Sequence, residues 1–348
     1  MSQSIPLPID YKLKWYTIKN VLGMGGFGIT YLAHDENLDQ DVAIKEFFLN
    51  GHSHRGEDYS LQTDDGEQCN EMVKWGLDRF VTEANILRLF NHPNIVKIHS
   101  ILRENNTAYI VMQYEQGAAL NALLKENKRF SEQELTDITL ALLDGLETMH
   151  NQGFVHRDIK PANIFIRKDG SPVLIDFGSA RFTLDDDKTL TQLVSSGYAP
   201  IEQYHGKSVS QGPWTDIYSL GATLYQVVTG EKLLDSNFRA NISSEESFND
   251  MWNELDKYND EYSVFFLRAI EHALRNDIKE RPQTVEDWRN TLTDPNVSTQ
   301  TQWRLVTRSN SNVSSKKTNK IKNTWSKPLI YIPAVILIVI IASLFFLI

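Results

Sequence analysis

Cysteine is almost absent: Cys69 is the only one in 348 residues. No intrachain disulfide can form, and a reducing compartment is indicated. Met1 to Asp10 lacks the basic stretch and apolar core of a secretory signal. Acidic residues are missing from the last part of the chain. None of the 45 follows Asp294, whereas Arg304, Arg308, Lys316, Lys317, Lys320, Lys322 and Lys327 all do. The part before is therefore acidic and lacks the clustered basic face that nucleic-acid binding needs, so no nucleic-acid partner is expected. Charge of either sign is missing from Leu329 to Ile348. A helix over those residues reaches about 30 Å, the thickness of a hydrocarbon core. Pro333 falls near its start, where a missing amide costs least. Trp325 and Tyr331 sit where interfacial aromatics belong. The lysines just before the span favour a cytoplasmic side for the rest of the chain and attraction to anionic lipid headgroups. The expectation is a single-pass transmembrane helix over 328–348 in the cell membrane, with nothing folded beyond it. A flexible basic linker rich in Ser, Thr, Asn and Lys precedes it over 295–327.

What is present is organised around His156-Arg157-Asp158-Ile159-Lys160-Pro161-Ala162-Asn163. This charged, Pro-interrupted run cannot be an amphipathic helix and is expected to be a loop. After it comes the short apolar run Pro172-Val173-Leu174-Ile175, which ends in Asp176-Phe177-Gly178. Two acids eighteen residues apart, with a cation and an amide near the first, are what phosphoryl transfer needs. Asp158 would take or orient the attacking hydroxyl's proton, and Lys160 would neutralise the moving phosphoryl group. Asn163 and Asp176 would offer hard oxygen ligands to magnesium.

Upstream, Trp15 to Leu22 and Ile29 to Ala33 read as paired strands around Gly23-Met24-Gly25-Gly26-Phe27-Gly28. Glycines at the first, third and sixth positions let backbone amides approach phosphates, and a strand on each side disfavours a dinucleotide-binding reading. Asp41 to Phe47 reads as a strand carrying Lys45 among apolar neighbours. Phe80, Ala84, Leu87 and Phe90 mark one face of a helix over Asp78 to Phe90, with Glu83 beside that face and His92-Pro93 ending it. The polar stretch between, Asn50 to Lys74, reads as a surface insertion. His52 and His54 there lack a second cluster at metal-ligand spacing. Further on, Ala108 to Met112 is an apolar strand. Ser131 and Glu134 form a capping box for a helix whose core stripe is Leu135, Ile138, Leu142, Leu143, Leu146 and Met149.

These motifs, in this order, resemble the bacterial eukaryotic-like (Hanks-type) serine/threonine protein kinases. The resemblance spans roughly residues 15–292. It implies an α+β bilobal fold: a β-rich N-lobe over 15–112 with an insertion at 50–75, a hinge at 113–117 and a helical C-lobe over 118–294. Residues 1–14 form an N-terminal extension. ATP and Mg²⁺ are the implied cofactors, with the phosphates held by Gly23 to Gly28 and Lys45, and Lys45 paired with Glu83. Met112 would back the adenine pocket, with Tyr114 in the hinge. Thr30 stands where the family has Val. His156 is expected to be structural, packed near Phe177. Arg157 would meet a phosphate on the activation loop, Ser179 to Tyr198, which holds Thr183, Thr189, Thr191, Ser195 and Ser196 as well as the acids Asp185 to Asp187. Glu202 is expected to pair with Arg281, and Asp216 to hold the catalytic loop's backbone.

The activity implied is γ-phosphoryl transfer from ATP to Ser/Thr hydroxyls of protein substrates, since Lys160 resembles the Ser/Thr type. Autophosphorylation, in trans within a homodimer, is part of that expectation. A membrane-tethered pseudokinase scaffold would lack catalytic residues, and Lys45, Glu83, Asp158, Asn163 and Asp176 are all present. A small-molecule phosphotransferase is disfavoured by the activation loop and the Glu202–Arg281 order.

Overall fold

The computed structural model describes residues 5–64, 66–176, 181–182, 195–204, 210–241 and 251–294. The linker at 295–327 and the expected span at 328–348 lie outside the described residues. Among the described residues no helix is long and apolar enough to cross a membrane.

The first lobe is built on a six-stranded antiparallel sheet. Its strands are β1 (Lys12–Leu13), β2 (Tyr16–Gly25), β3 (Gly28–Asp35), β4 (Gln40–Phe47), β7 (Ile98–Glu104) and β8 (Thr107–Gln113), in the order β1-β2-β3-β4-β8-β7. β3 alternates as a half-buried strand should: Ile29, Tyr31 and Ala33 turn inward while Thr30, Leu32 and His34 are only partly covered. Central β8, rich in β-branched and aromatic residues, is buried on both faces. In this register Lys45 of β4 lies opposite Thr30 of β3 and Ile110 of β8.

Two expectations for this lobe are corrected. The helix expected over Asp78 to Phe90 is α1, Glu67–Leu87, and it begins eleven residues earlier. Its first half hides from a periodicity reading because Val73 is the only buried residue there. Gly76 also interrupts the pattern. It is a glycine for packing: a β-carbon would sit 2.8 Å from the Phe47 ring. The stretch at 50–75, expected as a surface insertion, is likewise not confined to the surface. It contains the hairpin β5 (Ser53–Arg55) with β6 (Leu61–Thr63), followed by the first turns of α1. Ser53, Arg55 and Leu61 are buried.

The second lobe is helical: α2 (Leu120–Lys125), α3 (Glu132–His150), α4 (Ile201–Tyr204), α5 (Pro213–Thr229), α6 (Ser236–Ala240), α7 (Val264–Ala273) and α8 (Val285–Thr293). The Ser131–Glu134 capping box forms, with Ser131 N–H donating to Glu134 and Ser131 Oγ accepting from Glu134 N–H. Leu135, Ile138, Leu142, Leu143, Leu146 and Met149 are all buried on α3. Short strands join the lobes to the loop between them: β9 (Gly117–Ala119), β10 (Phe154–Val155), β11 (Ile164–Arg167), β12 (Pro172–Leu174) and β13 (Arg181–Phe182). Arg167 of β11 grips the interlobe segment, donating to both Glu115 carboxylate oxygens at 2.7 and 2.9 Å.

Candidate active site

The loop at 156–163 is held from below by one carboxylate. Asp216, fully buried on the first turn of α5, accepts the His156 amide at 2.9 Å, the Arg157 amide at 2.8 Å and His150 Nε2 at 2.8 Å. Burial alone would raise its pKa, but His150 and the amide donors outweigh that and hold it below the ordinary carboxylate range. Arg157 is the strained residue of the loop at φ 70°, a left-handed conformation that costs a non-glycine residue about 1–3 kcal/mol. Gln203 secures its far side, donating to Arg157 O at 2.8 Å. His156 is buried and kept neutral, its pKa lowered chiefly by desolvation.

So placed, Asp158 gathers donors. Lys160 Nζ meets Oδ1 and Oδ2 at 3.0 and 2.8 Å. Asn163 Nδ2 donates to Oδ2 at 2.9 Å and to the Asp158 carbonyl at 2.8 Å. Ser195 Oγ donates to Oδ1 at 2.6 Å and accepts from Lys160 at 2.9 Å. An acceptor carboxylate beside a cation, on a loop pinned at both ends, can orient a hydroxyl and balance negative charge on a group moving past it.

The second acid approaches from β12. Asp176 Oδ2 accepts from Lys45 Nζ at 2.8 Å. Its burial works against the charge, yet the Lys45 ammonium holds the carboxyl below its usual range. The expected Lys45–Glu83 ion pair is corrected in the same place. Lys45 closes on Asp176, while Glu83 stands 3.8 Å from Arg79. Arg79 stands one turn before Glu83 on α1, within reach of it. Glu83 still lines one small cavity with Lys45, Met112 and Asp176, floored by Phe80, Ala84 and Leu87 of α1. Met112 is thus placed at the back of the interlobe cleft, and Tyr114 packs partly buried against the core just beyond it.

Asn163 sits just before β11 and Asp176 just after its neighbour β12, tied by the Ile175 amide donating to Asn163 O at 3.0 Å. With Asn163 Nδ2 turned to Asp158, Oδ1 remains for a cation. Among the described residues no cluster of three or more His, Cys, Asp or Glu could cage a metal. Two oxygen donors fit magnesium, which keeps water ligands and takes substrate phosphates.

Gly23 to Gly28 span the end of β2, the two-residue turn Gly26-Phe27 and the start of β3, with Gly25 paired to Gly28. Only Gly28 is required by the protein itself, since a β-carbon there would collide with Glu46 O. Gly23 and Gly26 face open space, room that a phosphate could occupy. Met24 and Phe27 are exposed at the tip.

The remaining expectations sort cleanly. Arg281 donates to Glu202 at 2.8 and 3.1 Å, with both side chains fully buried. Phe177, Gly178, Thr183, Asp185 to Asp187, Thr189 and Thr191 lie outside the described residues. The sequence reading missed His150, Gln203, the Glu115–Arg167 clamp and the Ser195 contact. Only Gln203 carried a signal, in its place directly after Glu202.

The protein kinase domain profile matches residues 16–292 of this chain. The chain belongs to the protein kinase family. The kinase domain is 32% identical over 224 residues to serine/threonine-protein kinase PknB of Mycobacterium leprae, covering 62% of this chain and 32% of that protein. It is 32% identical over 229 residues to serine/threonine-protein kinase PknA of Nostoc sp., covering 62% of this chain and 37% of that protein. The match therefore spans about a third of the length of these curated relatives. Among solved structures, PpkA-294 in its apo form superposes with a TM-score of 0.71 at 34% identity, covering 82% of this chain and 99% of that one. The α+β bilobal kinase fold is thereby shown, and members of this family use ATP and Mg²⁺.

Proposed function

We propose that the chain is a serine/threonine protein kinase that moves the γ-phosphoryl group of ATP to hydroxyls of protein substrates. The observation that carries this reading is the assembled pair of acids. Asp158 sits with Lys160 and Asn163, and Asp176 with Lys45, within one kinase domain. In the reaction the substrate oxygen bonds to the γ-phosphorus as the bond from phosphorus to the β–γ bridging oxygen breaks. ADP leaves with that electron pair, and the hydroxyl proton passes to the Asp158 carboxylate. Lys160 offsets charge on the moving group, and Lys45 turns from Asp176 to the α- and β-phosphates. Asn163 Oδ1 and Asp176 would hold magnesium, which supplies charge neutralisation on the β- and γ-phosphates.

Autophosphorylation of the activation loop within a homodimer, with Thr189 or Thr191 as the acceptor and Arg157 as the phosphate's partner, belongs to the same reading. So does a membrane-spanning helix over 328–348 that keeps the kinase domain at the cytoplasmic face of the cell membrane, in contact with anionic lipid. The support is the uncharged run Leu329 to Ile348 and the five lysines before it. Incubating the purified chain with Mg·ATP and a protein acceptor, then mapping phosphosites, tests the activity. Phosphate confined to tyrosine, or no transfer, refutes it. Carbonate washing of membranes tests the anchor: release of the full chain, as freely as of one ending at Asn323, refutes that part.

A further inference from the structure

The stretch between Lys45 and α1 reaches the nucleotide turn from below. Asn50 N–H donates to Gly26 O at 3.0 Å, and Phe48 N–H donates to Phe27 O at 3.3 Å. Both acceptors lie at the tip of the turn, where β2 and β3 have no further strand pairing to hold them.

This entry segment is itself anchored by a buried ion pair. Arg55 of β5 meets both Glu46 oxygens, at 3.1 and 2.6 Å, and both side chains are sealed from solvent. Glu46 follows Lys45 directly on β4 and also accepts from Tyr31 and Tyr109, each at 2.7 Å. Its carboxylate is thus bonded from three further elements. Arg55 uses its remaining donors on backbone, Nε to Ile5 O at 2.7 Å and Nη1 to Tyr59 O at 3.0 Å. Leu7 N–H closes the set on Tyr31 Oη at 3.0 Å. Burial favours neutral Tyr31 and Tyr109, with both pKa values raised, so the phenols donate to the Glu46 carboxylate. The residue that joins these contacts to the turn is Leu49: Ser53 Oγ donates to Leu49 O at 2.8 Å, and His52 N–H to the same oxygen at 3.2 Å. A rigid path therefore runs from Glu46 through Arg55 and Ser53 to Asn50 and Gly26.

We propose that residues 48–64 act as a strut for the nucleotide-phosphate turn, with Arg55 and the Asn50 amide as positioning residues for ATP. The proposal rests on the kinase reading for its kinetic readout. A phosphate-binding turn open on its outer face must be ordered before its amides can converge on an anion. The strut supplies that order without touching the nucleotide, so its loss weakens ATP binding and leaves the Asp158 side of the reaction intact.

The test uses the full chain and three variants. Asn50→Pro deletes the amide donor to Gly26. Asn50→Ala keeps it. Arg55→Lys keeps the cation but loses the two-pronged contact with Glu46. The first readout is amide hydrogen exchange of residues 23–28 without nucleotide. The second is KM for ATP against kcat and against KM for the protein acceptor. Asn50→Pro and Arg55→Lys are expected to speed exchange in the turn and raise KM for ATP roughly five- to tenfold, the scale of one lost hydrogen bond. The expected kcat and acceptor KM stay within about twofold, and Asn50→Ala behaves as wild type. Unchanged exchange in a folded Asn50→Pro variant, or a fall in kcat with KM for ATP unmoved, overturns the strut. Loss of cooperative melting in both Asn50→Pro and Arg55→Lys overturns it too, by assigning these residues to fold stability alone. If the wild type transfers no phosphate, the kinase reading fails by itself, and the exchange experiment still decides the strut.

Discussion

Replacing Asp216 with alanine isolates how much of catalysis comes from holding a loop still. The carboxylate is wholly buried and accepts from the His156 and Arg157 amides and from His150. Its removal strands two amides, at about 1–3 kcal/mol each when no new acceptor is found. The left-handed Arg157, worth about 1–3 kcal/mol of strain, then has nothing to hold it from α5 and relaxes. Stranding the amides less the strain released predicts a net loss of roughly 1–3 kcal/mol and a fall in melting temperature on the order of 2–6 °C. Asp158 is the next residue, so its carboxylate leaves the position set by Lys160 and Asn163. Misplacing one catalytic group costs on the order of 10²-fold in rate. Lys45 and the glycine turn belong to the other lobe and are untouched. The expected result is therefore kcat down about 10²-fold or more, with KM for ATP changed less than about threefold. Steady-state kinetics at a temperature where the variant is folded by circular dichroism provide the measurement. A folded Asp216→Ala variant with near-wild-type kcat refutes the reasoning, because Asp158 would then need no support from α5.

Other outcomes follow from the same contacts. Arg281→Met should cost about 3–5 kcal/mol by leaving Glu202 charged and buried, whereas pairing it with Glu202→Leu should recover much of that loss in thermal melts. Gly28→Ala should lower activity and stability together, since its β-carbon meets Glu46 O, while Gly26→Ala, facing open space, should spare stability in the same assays. Burial, with Arg275 nearby, pulls His272 down to about 4 from 6.5. The unfolded chain then binds a proton that the folded one refuses, so stability falls as pH drops from 6.5 towards 4, by up to about 3 kcal/mol. Buried His156 contributes with the same sign. Urea titrations should show the decline in wild type and a flatter one in His272→Gln.

What could be read beforehand was local or tied to a fixed order of motifs. The Ser131–Glu134 box closes within three residues, and the α3 stripe follows from the 3.6-residue period, so both were legible. The Glu202–Arg281 pair, 79 residues apart, was legible only through the kinase resemblance. The first half of α1 was not, because a helix end that buries one residue and carries Gly76 shows no apolar stripe. Arg55 was hidden for a related reason. In a polar stretch a charged residue reads as solvated, and nothing nearby shows that Tyr31, Glu46 and Tyr109 converge on one point across three strands. The Lys45–Asp176 contact spans 131 residues and depends on how the lobes close, which spacing alone does not encode.

The most direct test of the account compares wild type with Asp158→Ala, measuring γ-phosphoryl transfer to a protein acceptor alongside equilibrium binding of Mg·ATP. Asp158 touches Lys160, Asn163 and Ser195 but not Lys45, so the variant should bind nucleotide within about threefold of wild type and lose transfer by about 10²-fold or more. Transfer at the wild-type rate by a folded Asp158→Ala variant would contradict the assignment of this loop as the catalytic centre.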